Sequence, residues 1–426
     1  MKKIILSLIA ITFFTALYAQ ENKEKSVKYR RSSLYTVMVD APNLPYADSI
    51  KKFFINSPIP EKFNDHNLGN RVFTNFTSPT NADPIKGNEL LLKRVGTITS
   101  PTNANSITDN EILLKSIAKE AVSKWFNRSE KGGFNMELIK SRGSYDASVL
   151  DIATAKASKR GLDMLADAGE ELIKNTFVLV NEFKYTSKEE IAKKASGWLN
   201  ALGTIGDYAG ISNASLITNA VAVGVTVAGK GYIVKTNAHL YRLDWNEEVA
   251  TKFYNEYWAE DNTITNEKKQ AFDDSDIFKL VYVGSDNSWA DVQSSIFTNK
   301  REEELVQRAT IKAVDAVIIE LQKNHEEFKT KTPLYTGEPI TAKIGTKEGV
   351  TNKSKFEVLE QQISENGKTS YAVVGSVKVD ENFPIWDNRF GAEEENPNSK
   401  IDRTYFKKVS GKEFYPGMLI VQKKGK

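Results

Sequence analysis

No cysteine occurs in the 426 residues, and histidine occurs three times. The first absence removes disulfides and thiolate metal sites, so packing alone must hold the fold. The second leaves little material for imidazole chemistry. His66 follows Asp65, His239 lies in an expected strand over 232–245, and His325 precedes Glu326 and Glu327, none with a second histidine at zinc-protease spacing. Asp65 and His66 would act as a base only beside a nucleophile brought in by the fold, and a surface loop histidine is the plain reading. Excess charge is scarce as well: 58 Lys and Arg face 55 Asp and Glu, and Lys2 and Lys3 supply two of the three net positive charges. That balance argues against a dedicated nucleic-acid partner, which calls for a basic face or stripe.

Motifs of chemistry are equally thin. No Gly-x-Ser-x-Gly nucleophile elbow is present. Gly224 to Lys230 comes close to a phosphate-binding loop, but Gly231 stands where Ser or Thr should hold magnesium, and the next residues are strand-like where a helix is required. Asp273, Asp274 and Asp276 lack the glycine and terminal glutamate of a calcium loop and read as a solvated acidic turn. No catalytic residue, metal ligand or cofactor is assigned on these grounds.

What is present begins with an address. Lys2 and Lys3 precede a fifteen-residue apolar run over 4–18, Ala19 comes next, and the chain then turns polar and charged. These are the basic, apolar and cleavage regions of a secretory signal peptide over 1–19. The run is shorter than the ~20 residues of a membrane-spanning helix, and no cysteine stands after it to take a lipid anchor. The expectation is an exported protein, periplasmic or outer-membrane-associated, or else secreted. The chain beyond residue 19 is long enough for two or three domains of ~100–200 residues.

Residues 20–108 read as a strand and helix leading into a repeat-containing linker. A strand is expected over 34–40, and Asp48 is placed to cap a short helix carrying Ile50, Phe53 and Phe54. Residues 77–93 and 99–115 agree at twelve of seventeen positions, a tandem repeat with a period of 22 and too few copies for a solenoid. In the second copy Thr108 and Glu111 form a capping box for a helix whose core stripe is Leu113, Ile117, Ala121 and Trp125.

Residues 109–330 read as a central mixed α/β domain. Helices are expected over 146–174 and 187–202, and strands over 176–183, 232–245 and 277–283. Asn246 starts a further helix, and a long amphipathic one over 302–328 has Leu305, Ala309, Ala313, Val317 and Leu321 on one face. From 333 to 426 five short strands punctuated by glycines, with Asn366-Gly367 as a hairpin signal, imply a small all-β barrel or sandwich. The fold class is α+β: a mixed α/β region with long amphipathic helices, then a C-terminal β domain.

Two places invite contact with something else. Trp245, Val249, Phe253 and Tyr257 form one helical stripe and Ala250, Tyr254 and Trp258 an adjacent one. The first is expected in the core; Tyr254 and Trp258 are the candidate binding surface, with continuation of the core as the competing reading. The small, weakly polar tract 211–228 carries too many polar residues for a membrane span, yet suits close helix packing or a peripheral membrane contact.

Several stretches resemble known families. Arg30 to Met38, Ala168 to Leu172, Tyr241 to Trp245 and the Lys-Thr-Pro-Leu-Tyr from Lys331 resemble a family of exported Bacteroidetes proteins that brings no established activity with it. Ile344-Gly345 with Gly349-Val350, the run Lys355 to Val358, Gly375 with Val377 to Val379, and Gly417-Met418 resemble the C-terminal domain of flagellar assembly protein T. These are turn glycines and alternating strand positions, so the likeness implies a small barrel without chemistry. The helix-then-strand pattern over 162–183 is similar to the periplasmic α/β domains of envelope assembly proteins, the curli secretion pore protein among them. A signal peptide ahead of a multidomain chain without a coherent catalytic constellation points to a non-enzymatic envelope protein acting through protein partners, its oligomeric state unassigned. The alternative is a secreted or periplasmic glycan hydrolase using paired carboxylates such as Glu170 and Glu171.

Overall fold

The computed structural model describes residues 32–57, 63–64, 71–73, 76, 101–146, 172–187, 231–293, 301–329, 331–363, 369–389, 392 and 397–423. The signal-peptide region, His66, the first repeat copy, Glu170 and Glu171, the glycine-rich loop and the tract 211–228 lie outside them. So do the expected helix over 187–202 and most of that over 146–174.

Two bodies of structure succeed one another along the chain, as α+β with a C-terminal barrel. The first is a mixed sheet in the order β2-β1-β4-β5-β6, with β3 also on β1. Its strands are β1 (Ser32–Val39), β2 (Phe63–Asn64), β3 (Val72–Phe73), β4 (Thr176–Ser187), β5 (Gly231–Leu243) and β6 (Leu280–Gln293). β1 runs parallel to β4, while β4, β5 and β6 form an antiparallel meander. Because side chains alternate across a strand, Leu34, Phe177, Leu179, Ala238 and Leu240 face one side and Tyr35, Val37, Val178, Val180 and Tyr241 the other. Both sides are buried, which is why β1 reads as a nearly unbroken apolar run.

The first side is covered by α1 (Ala47–Asn56) and α6 (Glu302–Asn324). Leu305, Ala309, Ala313, Val317 and Leu321 are all buried there, the stripe expected from their spacing. Arg71 pins the end of α1 to β1: its guanidinium donates to Ile55 O at 2.9 Å and Thr36 Oγ1 at 2.7 Å and lies over the Phe54 ring. The first turn of α1 corrects one expectation. Asp48 is inside the helix, and the N-cap is Tyr46, in a left-handed conformation without a side-chain cap bond.

The second side is covered by α2 (Pro101–Trp125), which contributes Ile117 and Ala121 as expected. This helix starts seven residues ahead of the capping box read from the sequence, so Thr108 and Glu111 are interior positions and the boundary placed at 108/109 falls within it. Beyond it lie α3 (Glu137–Asp146), α4 (Glu247–Lys252), whose N-cap Asn246 accepts from Val249 N at 3.0 Å, and α5 (Asn266–Asp273). No helix of the described residues is long and apolar enough to cross a membrane.

The C-terminal body is a closed six-stranded barrel, ordered β10-β11-β8-β7-β12-β9. Its strands are β7 (Lys331–Gly337), β8 (Ile340–Ala342), β9 (Lys355–Ile363), β10 (Thr369–Val379), β11 (Thr404–Gly411) and β12 (Leu419–Gln422). The barrel strand that sequence reading missed is β7, which carries Pro333 within it yet supplies the buried Leu334. Phe356, Val358, Val377, Val379, Phe406 and Ile420 fill the interior from alternate positions. The barrel is seated on α6 by the turn after β8, where Lys347 Nζ lies 3.3 Å from Asp315. Gly349 in that turn has a φ of +71°, and an added Cβ would sit 3.0 Å from Ile319 Cγ2 of α6, so both backbone and contact call for glycine.

Candidate functional site

Where α2 leaves the sheet, β4, β5 and β6 carry a line of polar groups on the same side. His239 on β5 is fully buried, and its Nε2 lies 3.1 Å from Glu182 Oε1 on β4. On the other flank Ser285 of β6 is directly opposite His239 in the strand register. The Ser285 hydroxyl accepts from the Tyr282 phenol at 2.9 Å, and Tyr282 packs edge-on against Tyr241 at 5.4 Å. Burial raises both phenols above their ordinary pKa, and for Tyr241 the neighbouring Tyr282 and Glu182 add to it. Both therefore stay protonated donors around neutral pH.

Serine, imidazole and carboxylate on three adjacent strands are the parts of a hydrolytic triad, but they are wired differently. In a triad the imidazole Nε2 takes the serine proton; here Nε2 faces the carboxylate and the serine hydroxyl serves a tyrosine. The arrangement gives the fully buried imidazole a carboxylate partner on the partly exposed Glu182, a need that burial itself creates. Sequence reading placed His239 in its strand, whereas Glu182 and Ser285 become its neighbours only through the pairing of β5 with β4, 57 residues away at this contact, and with β6.

His325, just past α6, forms a second contact on the opposite side of the sheet. Its Nε2 lies 3.2 Å from Asp286 Oδ2 without the alignment of a hydrogen bond, while Asn324 donates to Asp286 Oδ1 at 2.9 Å. The ring lies against Gly284, where a Cβ would come within 2.0 Å of His325 Cε1. The acidic turn also has structural partners: Asp273 pairs with Arg128 at 2.7 Å, and Lys119 donates to its carbonyl at 2.5 Å. No group of three metal-ligating side chains occurs among the described residues.

Tyr254 and Trp258 sit half-buried at the rim of an aromatic cluster built from Trp125, Phe126, Phe134, Trp245, Phe253, Tyr257, Phe272 and Phe278. Trp258 stacks on Phe134 at 5.9 Å, and Tyr254 meets Phe126 edge-on at the same distance. The helix explains how both stripes reach one core. After α4 it widens into a π-turn over Phe253–Tyr257, with Trp258 N bonding back to Phe253 O at 2.9 Å. The wider turn swings Tyr254 and Trp258 toward the cluster that holds Phe253 and Tyr257, where a regular helix would splay the stripes apart. The remaining face of the helix, with Glu248, Thr251, Lys252 and Asn255, borders an open hollow of about 600 Å³.

The barrel wall differs from these interiors. Seven large apolar side chains are exposed among the described residues, and four of them, Val373, Phe383, Val409 and Tyr415, belong to the barrel. Phe383 lies flat on Tyr405 at 4.2 Å while remaining 44% exposed. Beside them Tyr335 is flanked by Arg403 at 4.0 Å and Lys343 at 5.0 Å, both over its ring.

No protein-family model matches this chain, and no curated protein matches it. Its functional reading rests on its own residues.

Proposed function

We propose that this is an exported, non-enzymatic protein of the bacterial envelope that works through protein contacts made by its barrel wall, in the assembly of a surface or periplasmic structure. The observation that carries this reading is where apolar surface is left in solvent. Four of the seven exposed large apolar side chains among the described residues belong to the barrel, while in the sheet's polar constellation the imidazole is buried against Glu182 and the serine is bonded to Tyr282. Aromatic and arginine-bearing patches of this kind are what protein interfaces enrich. The basic start and apolar run over 1–19 support export.

The test combines cell fractionation with a photocrosslinking residue at Phe383 of the full chain. Envelope fractionation and discrete protein adducts are expected; a cytoplasmic protein, or one without adducts from the barrel wall, would end the proposal. A second reading, a hydrolase, draws on the adjacency of Glu182, His239 and Ser285. It requires turnover of an ester or glycan substrate that Ser285→Ala abolishes without unfolding the protein, and we expect none.

A further inference from the structure

Three lysines stand shoulder to shoulder on the outer wall of the barrel. Lys378 on β10 is the direct cross-strand partner of Lys355 on β9 and of Lys407 on β11. The flanking residues Phe356, Val377, Val379 and Phe406 point into the core, so strand alternation sends all three lysines outward. Strands ~4.8 Å apart make this a row about 10 Å long. Like charges directly opposite one another destabilise a sheet. The fold relieves the row at one end only, where Asp380 sits 3.0 Å from Lys407. Among the described residues neither Lys355 nor Lys378 forms an ion pair, although Asp380 also lies within electrostatic reach of Lys378.

The row continues along β11. Tyr405 and Arg403 alternate with the inward Thr404 and Phe406 and therefore share the outer face with Lys407. Tyr405 carries the exposed Phe383, and Arg403 carries Tyr335 and its second cation, Lys343. Counting Lys423 and Glu357, which pair beside Lys355, six cations thus meet three carboxylates, Asp380, Asp402 and Glu357, with three aromatic rings among them.

We infer that this strip docks an acidic segment of a partner protein, its carboxylates on Lys355, Lys378 and Lys407 and an apolar side chain against Phe383. The inference rests on the barrel-contact reading above and adds the partner's chemistry. Charge complementarity selects acid, since an anionic partner removes the repulsion that the fold leaves in place. A protein is favoured over a small anion because the strip lies on the convex outside of a closed barrel, whereas small-molecule sites are concave.

The full-length mature protein would be titrated with a fluorescent glutamate-rich peptide containing phenylalanine. Alginate, phosphatidylglycerol vesicles and a lysine-rich peptide of equal length would serve as competitors. Binding should weaken steeply with salt, because exposed charges are screened beyond ~8 Å at physiological ionic strength. Lys355→Gln with Lys378→Gln should lose about tenfold in affinity with an unchanged far-ultraviolet spectrum, as rim charges govern association. Phe383→Ala should weaken binding with the salt dependence kept. Equal affinity for the double variant, no binding at low salt, or preference for alginate or vesicles over the acidic peptide would each overturn the inference. A photocrosslinker at Val373 in cells separates the two levels. Adducts that persist in the double variant refute the acidic partner but leave the barrel as a docking body, whereas loss of all adducts in the unmodified protein refutes the broader reading.

Discussion

Gly284 and His325 show how much one missing Cβ can decide. The imidazole occupies the space a side chain would take, beside Asp286, whose Oδ1 accepts from Asn324 at the end of α6. Gly284→Ala should force His325 away and cost about 1–3 kcal/mol, the range for overpacking a closed site, read as a lower urea midpoint with unchanged slope. At the barrel turn, Asp387 accepts from Arg389 and from Thr346 Oγ1, and the Arg389 bond first of all holds its carboxyl far below the usual range. A depressed carboxylate contributes stability that is present above its unfolded pKa of about 4 and is lost as pH falls through its lower folded value. Asp387→Asn should therefore flatten the fall in stability below about pH 4, checked by thermal melts at successive acid pH. Residues of this kind were half legible. The histidines announced themselves by rarity and His239 by its strand, but Glu182, Ser285, Gly284 and Asp286 acquire meaning only when strands far apart in sequence are laid side by side.

Among the elements, periodic ones were read well and context-dependent ones were not. The core stripe of α6 needed only its four-residue spacing, and five of the six barrel strands only their alternation and glycine punctuation, while β7 was hidden by the proline within it. The start of α2 was misplaced because a good local capping box lost to a longer helix beginning at Pro101, a residue suited to a first helical turn. The π-turn at Phe253–Tyr257 leaves no mark in residue spacing; the continuation of the core through Tyr254 and Trp258 was legible in the two adjacent stripes, the turn that delivers it was not. The junction of α6 with the barrel has its own energetic signature. Burial raises the pKa of Asp315, and Lys347 is the cation that offsets it. Removing the lysine strands a buried carboxylate, whereas neutralising the acid does not. Lys347→Met should thus destabilise the protein by about 1–3 kcal/mol, and Asp315→Asn by less. Paired chemical denaturation curves would give the order, and a reversed order would mean the lysine is only a surface cation.

For the molecule as a whole, the division into a mixed sheet and a barrel was visible as a change of composition near residue 333, while the sheet's strand order was not. Its central pairing joins β1 to β4, and Asn181 donates to Val37 O across 144 positions. β4, β5 and β6 by contrast pair as neighbours in the chain. Closing a long loop before its contacts form is slow, so the strand synthesised first is expected to be the last to find its place. Pulse-labelled amide exchange during refolding should show the amides of β5 protected before those of β1, and simultaneous protection would contradict this order. Only the two-residue strands β2 and β3 can join β1 early, so most of its length waits for a partner 144 positions later. The parallel seam between β1 and β4 would then act as a timer, leaving the N-terminal part open until the meander has formed.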